Sequence, residues 1–218
     1  MDFFNRLVGY MPALLEGAVN TVLLTIISVF FGAILGLFLA LGRLTKNRIL
    51  DKICWFYIWL FRGTPLLMQL FFIYYALPMI YKPLSMAQFP AALVALSLNS
   101  AAYLAEIIRA AIQSIDKGQM EAAKALGMSY GQAMKRVIIP QSYRRLIPPV
   151  GNELIALLKD SSLVAIIAMT ELMKVTNQIS TRESNALIYI PAAFLYLCLT
   201  TFFTFVFDKL EKKYSIYE

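Results

Sequence analysis

Glu121-Ala122-Ala123-Lys124-Ala125-Leu126-Gly127, followed after nine residues by Val137-Ile138-Ile139-Pro140, is a polar, helix-compatible island in an otherwise hydrophobic chain. The runs around it are long. Residues 17–42 hold 26 positions without a charge, 63–81 hold 19, 83–105 hold 23 and 184–207 hold 24. Spanning a bilayer takes ~20 apolar residues, so these runs read as membrane spans. A fifth, less clean span covers about 150–172 and carries charges. Hydrophobic residues make up 60% of the 218, against about 45–50% in an average globular domain. A chain of spans has no evident reason to keep a structured amphipathic loop unless something soluble docks on it.

Charge placement gives a topology. Fourteen of the 20 Lys and Arg fall in 43–52, 109–149 and the C-terminal tail. The opposite side holds only Arg6, Lys82, Lys174 and Arg182. Cytoplasmic loops carry the Lys/Arg excess, so the N-terminus is expected outside, the C-terminus inside, and the span number odd. The net charge of +7 therefore reflects topology, and no nucleic-acid partner is implied. The expected fold class is an all-α integral membrane protein with five transmembrane helices. Its parts are an amphipathic lead at 1–16, a transmembrane domain at 17–210 with a cytoplasmic loop at 110–149, and a cytoplasmic tail at 211–218. The lead either lies on the outer surface or extends the first span. Asp2, Pro12 and Glu16 interrupt it, so it does not read as a cleavable signal peptide.

Each span has a local signature. Gly32 and Gly36 in the first have the small-xxx-small spacing that permits close helix approach. The second, about 53–80, is broken by Arg62-Gly63-Thr64-Pro65. Proline removes a donor and clashes with the preceding turn. Irregular backbone at membrane depth survives only where protein buries it or where it lines a wet cavity, so the break is either a pathway wall or a packing kink. The third, about 87–109, places Ser97, Asn99 and Ser100 at mid-depth, where they line a path or bridge helices. Its inner end carries Glu106 and Arg109 as a local ion pair. In the loop, Gly127 is read as a helix stop and Ser129 as a cap. Pro140 and then Pro148-Pro149 are expected to end two short surface helices. The last span, about 187–207, is plainly apolar.

The fourth span carries the chemistry. Glu153 and Asp160 are seven apart, returning to nearly the same helix face ~10 Å apart along the axis. A carboxylate at membrane depth is costly unless paired or wet, so two on one face read as a site for a cationic group. The alternative is structural neutralisation by Lys159 and Arg62. Thr64 and Met68, one turn apart after the break, with Gln69 beside them, are candidates to hold a carboxylate and form an adaptable wall. With Arg62, Ser97 and Asn99 they complete the expected substrate-binding set. Histidine is absent, and neither Cys54 nor Cys198 has metal-ligand spacing. No phosphate-binding Gly-rich loop occurs. No catalytic residues, metal site or cofactor are therefore expected on this chain, and energy for any active transport comes from an ion gradient or another subunit.

These motifs together resemble a known family. Glu121-Ala122-Ala123, Gly127 and Val137-x-Ile139-Pro140 look like the EAA loop of bacterial ABC importer permeases, with Val137 and Ile139 as mild departures from the usual Ile and Leu. Phe61-Arg62-Gly63-Thr64-Pro65-Leu66-Leu67, Asn99-Ser100-Ala101-Ala102-Tyr103-Leu104-Ala105-Glu106, Gly151-Asn152-Glu153-Leu154 and Lys159-Asp160-Ser161-Ser162-Leu163 resemble its polar amino acid branch, in particular the arginine and histidine importer type. The likeness covers roughly residues 15–210. It implies a five-span permease core of the methionine-importer type in the bacterial cytoplasmic (inner) membrane, working as a dimer, with a homodimer expected. Each copy would offer Glu121, Ala122, Ala123, Gly127 and Pro140 as the coupling segment to a cytoplasmic ATPase subunit. ATP and magnesium would be held by that ATPase pair, and an extracytoplasmic binding protein would deliver the amino acid. Combined with the two carboxylates, the resemblance implies a basic amino acid: arginine, histidine or lysine. The alternatives are an importer of glutamine or glutamate, an ion-coupled secondary transporter, and a membrane scaffold without transport.

Overall fold

The computed structural model describes residues 2–214, with side chains from Val8 onward. The described residues form helices joined by short connections: α1 (Asp2–Leu44), α2 (Arg48–Gly63), α3 (Leu66–Ile80), α4 (Gln88–Gln113), α5 (Lys117–Ala125), α6 (Tyr130–Ala133), α7 (Ile139–Asp160), α8 (Leu172–Glu183) and α9 (Tyr189–Tyr214). Residues 215–218 of the expected tail lie outside the described residues. The expected lead at 1–16 is no separate element. From Asp2 it is continuous with the first span, because its apolar residues carry on the helical period and Pro12 is accommodated within the helix.

Among the described residues, three stretches are long and apolar enough to cross a membrane: Val8–Leu44, Gln88–Gln113 and Ala186–Tyr214. The second expected span instead turns through 104° between α2 and α3. The break at Arg62-Gly63-Thr64-Pro65 is thus a corner, sharper than the kink expected from sequence. If that bent pair counts as one span, the number is four. The fifth expected span, about 150–172, is divided among the end of α7, a 3-10 turn at Ser161–Ile167 and a short extended link. That link ends at Glu171, the N-cap of α8.

The prolines after the loop behave differently from expectation. Pro140 lies in the first turn of α7 and does not end the helical path. A π turn at Met134–Ile138 carries α6 into it without a break. Pro148 and Pro149 lie inside α7 rather than ending the region. Arg145 anchors this segment by donating to the carbonyl of Ser114, just past α4, at 2.5 Å.

α1 and α4 make the most extensive helix pairing. A Cβ at Gly32 would meet Ser100 Cβ at 3.0 Å, and one at Gly36 would meet the Ala101 carbonyl at 3.0 Å. Ala101 and Ala105 on the facing side are fully buried. Small residues on both sides let the backbones approach, and van der Waals contact then holds the pair in lipid. The main core gathers Leu24 and Val29 from α1, Leu70 and Ile73 from α3, Leu96 and Leu104 from α4, and Leu154, Leu157 and Leu158 from α7. This core fixes the α2–α3 corner against α4 and α7.

Candidate functional site, a polar chamber at the helix break

The corner exposes helix-end carbonyls, and side chains satisfy them. Thr64 is extended (φ −120°, ψ 145°), as the residue before Pro65 must be to avoid its ring. Its hydroxyl donates to the Leu60 carbonyl at 2.8 Å. The amide of Gln69 reaches the Phe61 carbonyl at 2.8 Å, the Thr64 carbonyl at 3.0 Å and Thr64 Oγ1 at 2.9 Å. Asn99 on α4 donates to Gln69 Oε1 at 3.0 Å and lies 3.4 Å from the Phe61 carbonyl. Gln69 and Asn99 thus brace the corner against α4.

The corner forms one wall of a chamber of about 470 Å³. Arg62, Gly63, Thr64, Pro65 and Leu66 line it from the break, Asn99 and Tyr103 from α4, and Glu153, Ala156, Leu157 and Asp160 from α7. Five of the sequence-derived site residues therefore meet here: Arg62, Thr64, Asn99, Glu153 and Asp160. Met68 and Ser97 do not line it. Met68 is 63% exposed, and Ser97 lies against Gly32 at the α1–α4 contact. A spacing of one turn from Thr64 was an insufficient guide to Met68, because the corner reorients the helix between them.

Glu153 is half-buried and Asp160 exposed. Neither takes part in a salt bridge among the described residues. Arg62 instead packs its guanidinium over the Tyr103 ring, 5.4 Å from the centroid. The Glu106–Arg109 pair expected from sequence is formed and bidentate, at 3.0 and 2.5 Å.

The polar island folds as a self-capped unit. Asp116 caps α5 through the Gly118 amide at 2.8 Å. Gly127, at φ +81°, ends it. The Met128 amide reaches the Ala123 carbonyl at 3.1 Å and the Gly127 amide reaches Lys124 at 2.9 Å, a Schellman closure. Ser129 and Gln132 form a reciprocal capping box at α6. Ala123 is buried, whereas Glu121, Ala122 and Pro140 face outward and Leu126 is 80% exposed.

Gln69, set beside Thr64 and Met68 as a candidate to hold a carboxylate, instead braces the corner. Two further contributors do not stand out in the sequence. Tyr103 lies four residues after Asn99, hence on the same helix face. Glu171 was not singled out at all. Its carboxylate is fully buried and accepts from the Met173 amide at 2.8 Å, the Lys174 amide at 2.6 Å, Tyr196 Oη at 3.0 Å and Thr21 Oγ1 at 3.4 Å.

Residues 32–216 match the family described as the binding-protein-dependent transport system inner membrane component. The chain belongs to this family. The arginine transport system permease protein ArtQ of Bacillus subtilis is 41% identical over 211 residues, covering 96% of each chain. The L-cystine permease protein TcyB of the same organism is 41% identical over 96% of this chain and 89% of its own. The glutamine permease protein GlnP of Escherichia coli K12 is 37% identical over 94% of both. A crystal structure of an amino acid ABC transporter with histidines superposes with a TM-score of 0.91 at 37% identity, covering 96% of this chain and 98% of the other. The MetNI methionine transporter in an inward-facing form shares the fold alone, with a TM-score of 0.82 at 23% identity. The protein is thus an integral membrane permease subunit of an ABC transporter and not an enzyme. ATP hydrolysis resides on a separate subunit of such systems, and a binding protein supplies the cargo.

Proposed function

We propose that this permease imports amino acids and prefers basic ones, with Glu153 and Asp160 receiving the two cationic groups. The observation that carries the reading is the pair of acidic side chains, in no salt bridge among the described residues, lining a polar chamber that Arg62 and the Thr64 corner also line. An α-ammonium group and a guanidinium or ammonium side chain match the acidic wall. The α-carboxylate matches Arg62. Asn99 supports the Thr64 corner through Gln69, while Met68 and Ser97 drop out of the contact set.

The arginine, cystine and glutamine relatives share an α-amino acid moiety, so their cargo fits the α-ammonium half of this arrangement. Preference for a basic side chain rests on the second carboxylate. In the assembly, five spans put the N-terminus outside and α5 in the cytoplasm, in the bacterial inner membrane. Two identical copies pair, and the Glu121–Gly127 segment of each, with Pro140 nearby, seats on one ATPase subunit carrying ATP and magnesium. An extracytoplasmic binding protein delivers the amino acid. An ion-coupled mechanism would leave both the family membership and the capped α5 segment unexplained.

The test is uptake of labelled arginine into liposomes carrying the permease, its ATPase and the binding protein, with and without internal ATP. ATP-dependent uptake blocked by lysine and histidine supports the reading. Equal competition by glutamine removes the basic preference and leaves both carboxylates without a cationic side chain to receive.

A further inference from the structure

The chamber is not the end of the open space. A second cavity, also about 470 Å³, runs along α4 past Glu106 to Ser114 and Arg145, beside the start of α5. The two cavities have only two lining residues in common, Arg62 and Tyr103. These are the same two side chains that stack, with the guanidinium 5.4 Å from the ring centroid. A cation over an aromatic face is held by the ring quadrupole, strongly enough to shift a two-state equilibrium by roughly two- to thirty-fold. Arg62 is the last charged residue before the corner, and it is exposed, so its side chain has room to swing. Tyr103 is carried by α4 between the buried Ala102 and Leu104, and is itself 37% exposed toward the two cavities.

We propose that Arg62 stacked on Tyr103 is a latch between the upper chamber and the lower cavity, and that the α-carboxylate of the cargo releases it. The inference rests on the proposed role of the upper chamber as the amino acid site. A carboxylate beside Arg62 offers a charge-assisted hydrogen bond that outcompetes the ring. The guanidinium then leaves Tyr103, and the passage toward α5 opens only when a complete amino acid is bound. The latch selects against amines lacking a carboxylate, since they satisfy Glu153 and Asp160 and leave Arg62 in place.

The test reads access to the upper chamber from the lower cavity. Ala156→Cys supplies a thiol on the chamber wall, in a background carrying Cys54→Ala and Cys198→Ser. A membrane-impermeant, cationic methanethiosulfonate is applied from the cytoplasmic face to the assembled complex in inside-out vesicles. Adding Tyr103→Leu is expected to speed labelling three- to thirty-fold, while Tyr103→Phe, which keeps the ring, retains the slow rate. Arg62→Gln is expected to accelerate labelling like Tyr103→Leu, and serves alone if that complex does not assemble. Unchanged labelling in these variants overturns the latch, and this arm involves no amino acid, so it stands whatever the cargo. Release by the carboxylate is read without that thiol, which bound cargo would shield: in a complex carrying Tyr103→Trp, which keeps an aromatic face, with Trp55→Phe and Trp59→Phe, arginine is expected to shift the indole emission and agmatine, which lacks the carboxylate, is not. Equal effects of the two, or no effect of arginine at a concentration where its binding is measured directly, overturn release by the carboxylate. Absence of arginine binding in that same measurement counts against the cargo reading and leaves the latch to the variant arm.

Discussion

Glu171 and Glu153 are both acidic residues within the helical body of the permease, and their surroundings are opposite. Glu171 is fully buried, with backbone amides of α8 and hydroxyls from α1 and α9 around its oxygens. Glu153 and its partner Asp160 line an open chamber and enter no salt bridge among the described residues. A buried charge is tolerable when hydrogen bonds satisfy its lone pairs. The saturated carboxylate therefore holds helices together, and the pair lining the chamber is the one we propose to face cargo.

The strongest way to break this contrast is Glu171→Ala. It leaves two helix-end amides and the Tyr196 hydroxyl without their acceptor, while Thr21 keeps the Gly17 carbonyl at 3.1 Å, at a cost of about 3–5 kcal/mol. A large fall in the thermal midpoint of the purified permease complex is expected, whatever its transport activity. An unchanged midpoint would mean that the buried carboxylate is not structural. Next comes the double substitution Glu153→Gln with Asp160→Asn. It should cut arginine uptake by about tenfold or more, equivalent to about 1.4 kcal/mol or more of lost discrimination. The thermal midpoint should stay close to the parent's. If uptake survives and the midpoint moves, the roles assigned to the two regions are reversed.

Gly127→Val tests a third kind of site, where backbone carries the constraint. A β-branched residue at φ +81° costs about 1–2 kcal/mol, and no neighbouring atom lies within 4 Å of an added Cβ. The permease should fold, while ATP-driven uptake falls as the end of α5 rearranges. Coupled transport at the parent rate would remove this turn from the docking surface. The smallest effect expected is from Tyr196→Phe, which deletes one of several donors to Glu171. About 1 kcal/mol of stability is at stake, visible as a small downward shift in the same thermal assay.

Sequence order and spacing carried much of the architecture. Uncharged runs marked α1, α4 and α9, and Gly32 with Gly36 foretold the close α1–α4 contact. Glu153, Asp160, Asn99, Thr64 and Arg62 all reached the same chamber from three separated stretches. Two kinds of information were not local. The angle at Gly63-Thr64-Pro65 depends on Gln69 and Asn99 taking up the freed carbonyls, so a kink was legible but a 104° corner was not. That corner is also what carries Met68 away from Thr64. The prolines at 140, 148 and 149 misled for a related reason. Proline fixes its own φ at a helical value but leaves open whether the helix continues, and here a π turn at Met134–Ile138 carries the path on through Pro140 while Pro148 and Pro149 sit inside α7. Glu171 was hidden because its acceptor capacity is filled by residues far apart in the chain.

That distance has a consequence for biogenesis. Thr21 and Glu171 are separated by 150 positions, and Tyr196 emerges another 25 later. During synthesis the first helix enters the bilayer long before the groups that fasten it exist. A Cβ at Gly17 would come within 2.9 Å of Leu172 Cα, so the snug seat for α8 also waits on late residues. Long-range contacts of this kind form last and leave the partial chain exposed. Nascent chains arrested before Tyr196 should be cut readily by membrane quality-control proteases, and chains extended past it should resist. The carboxylate thereby marks the point at which the newly made permease becomes worth keeping.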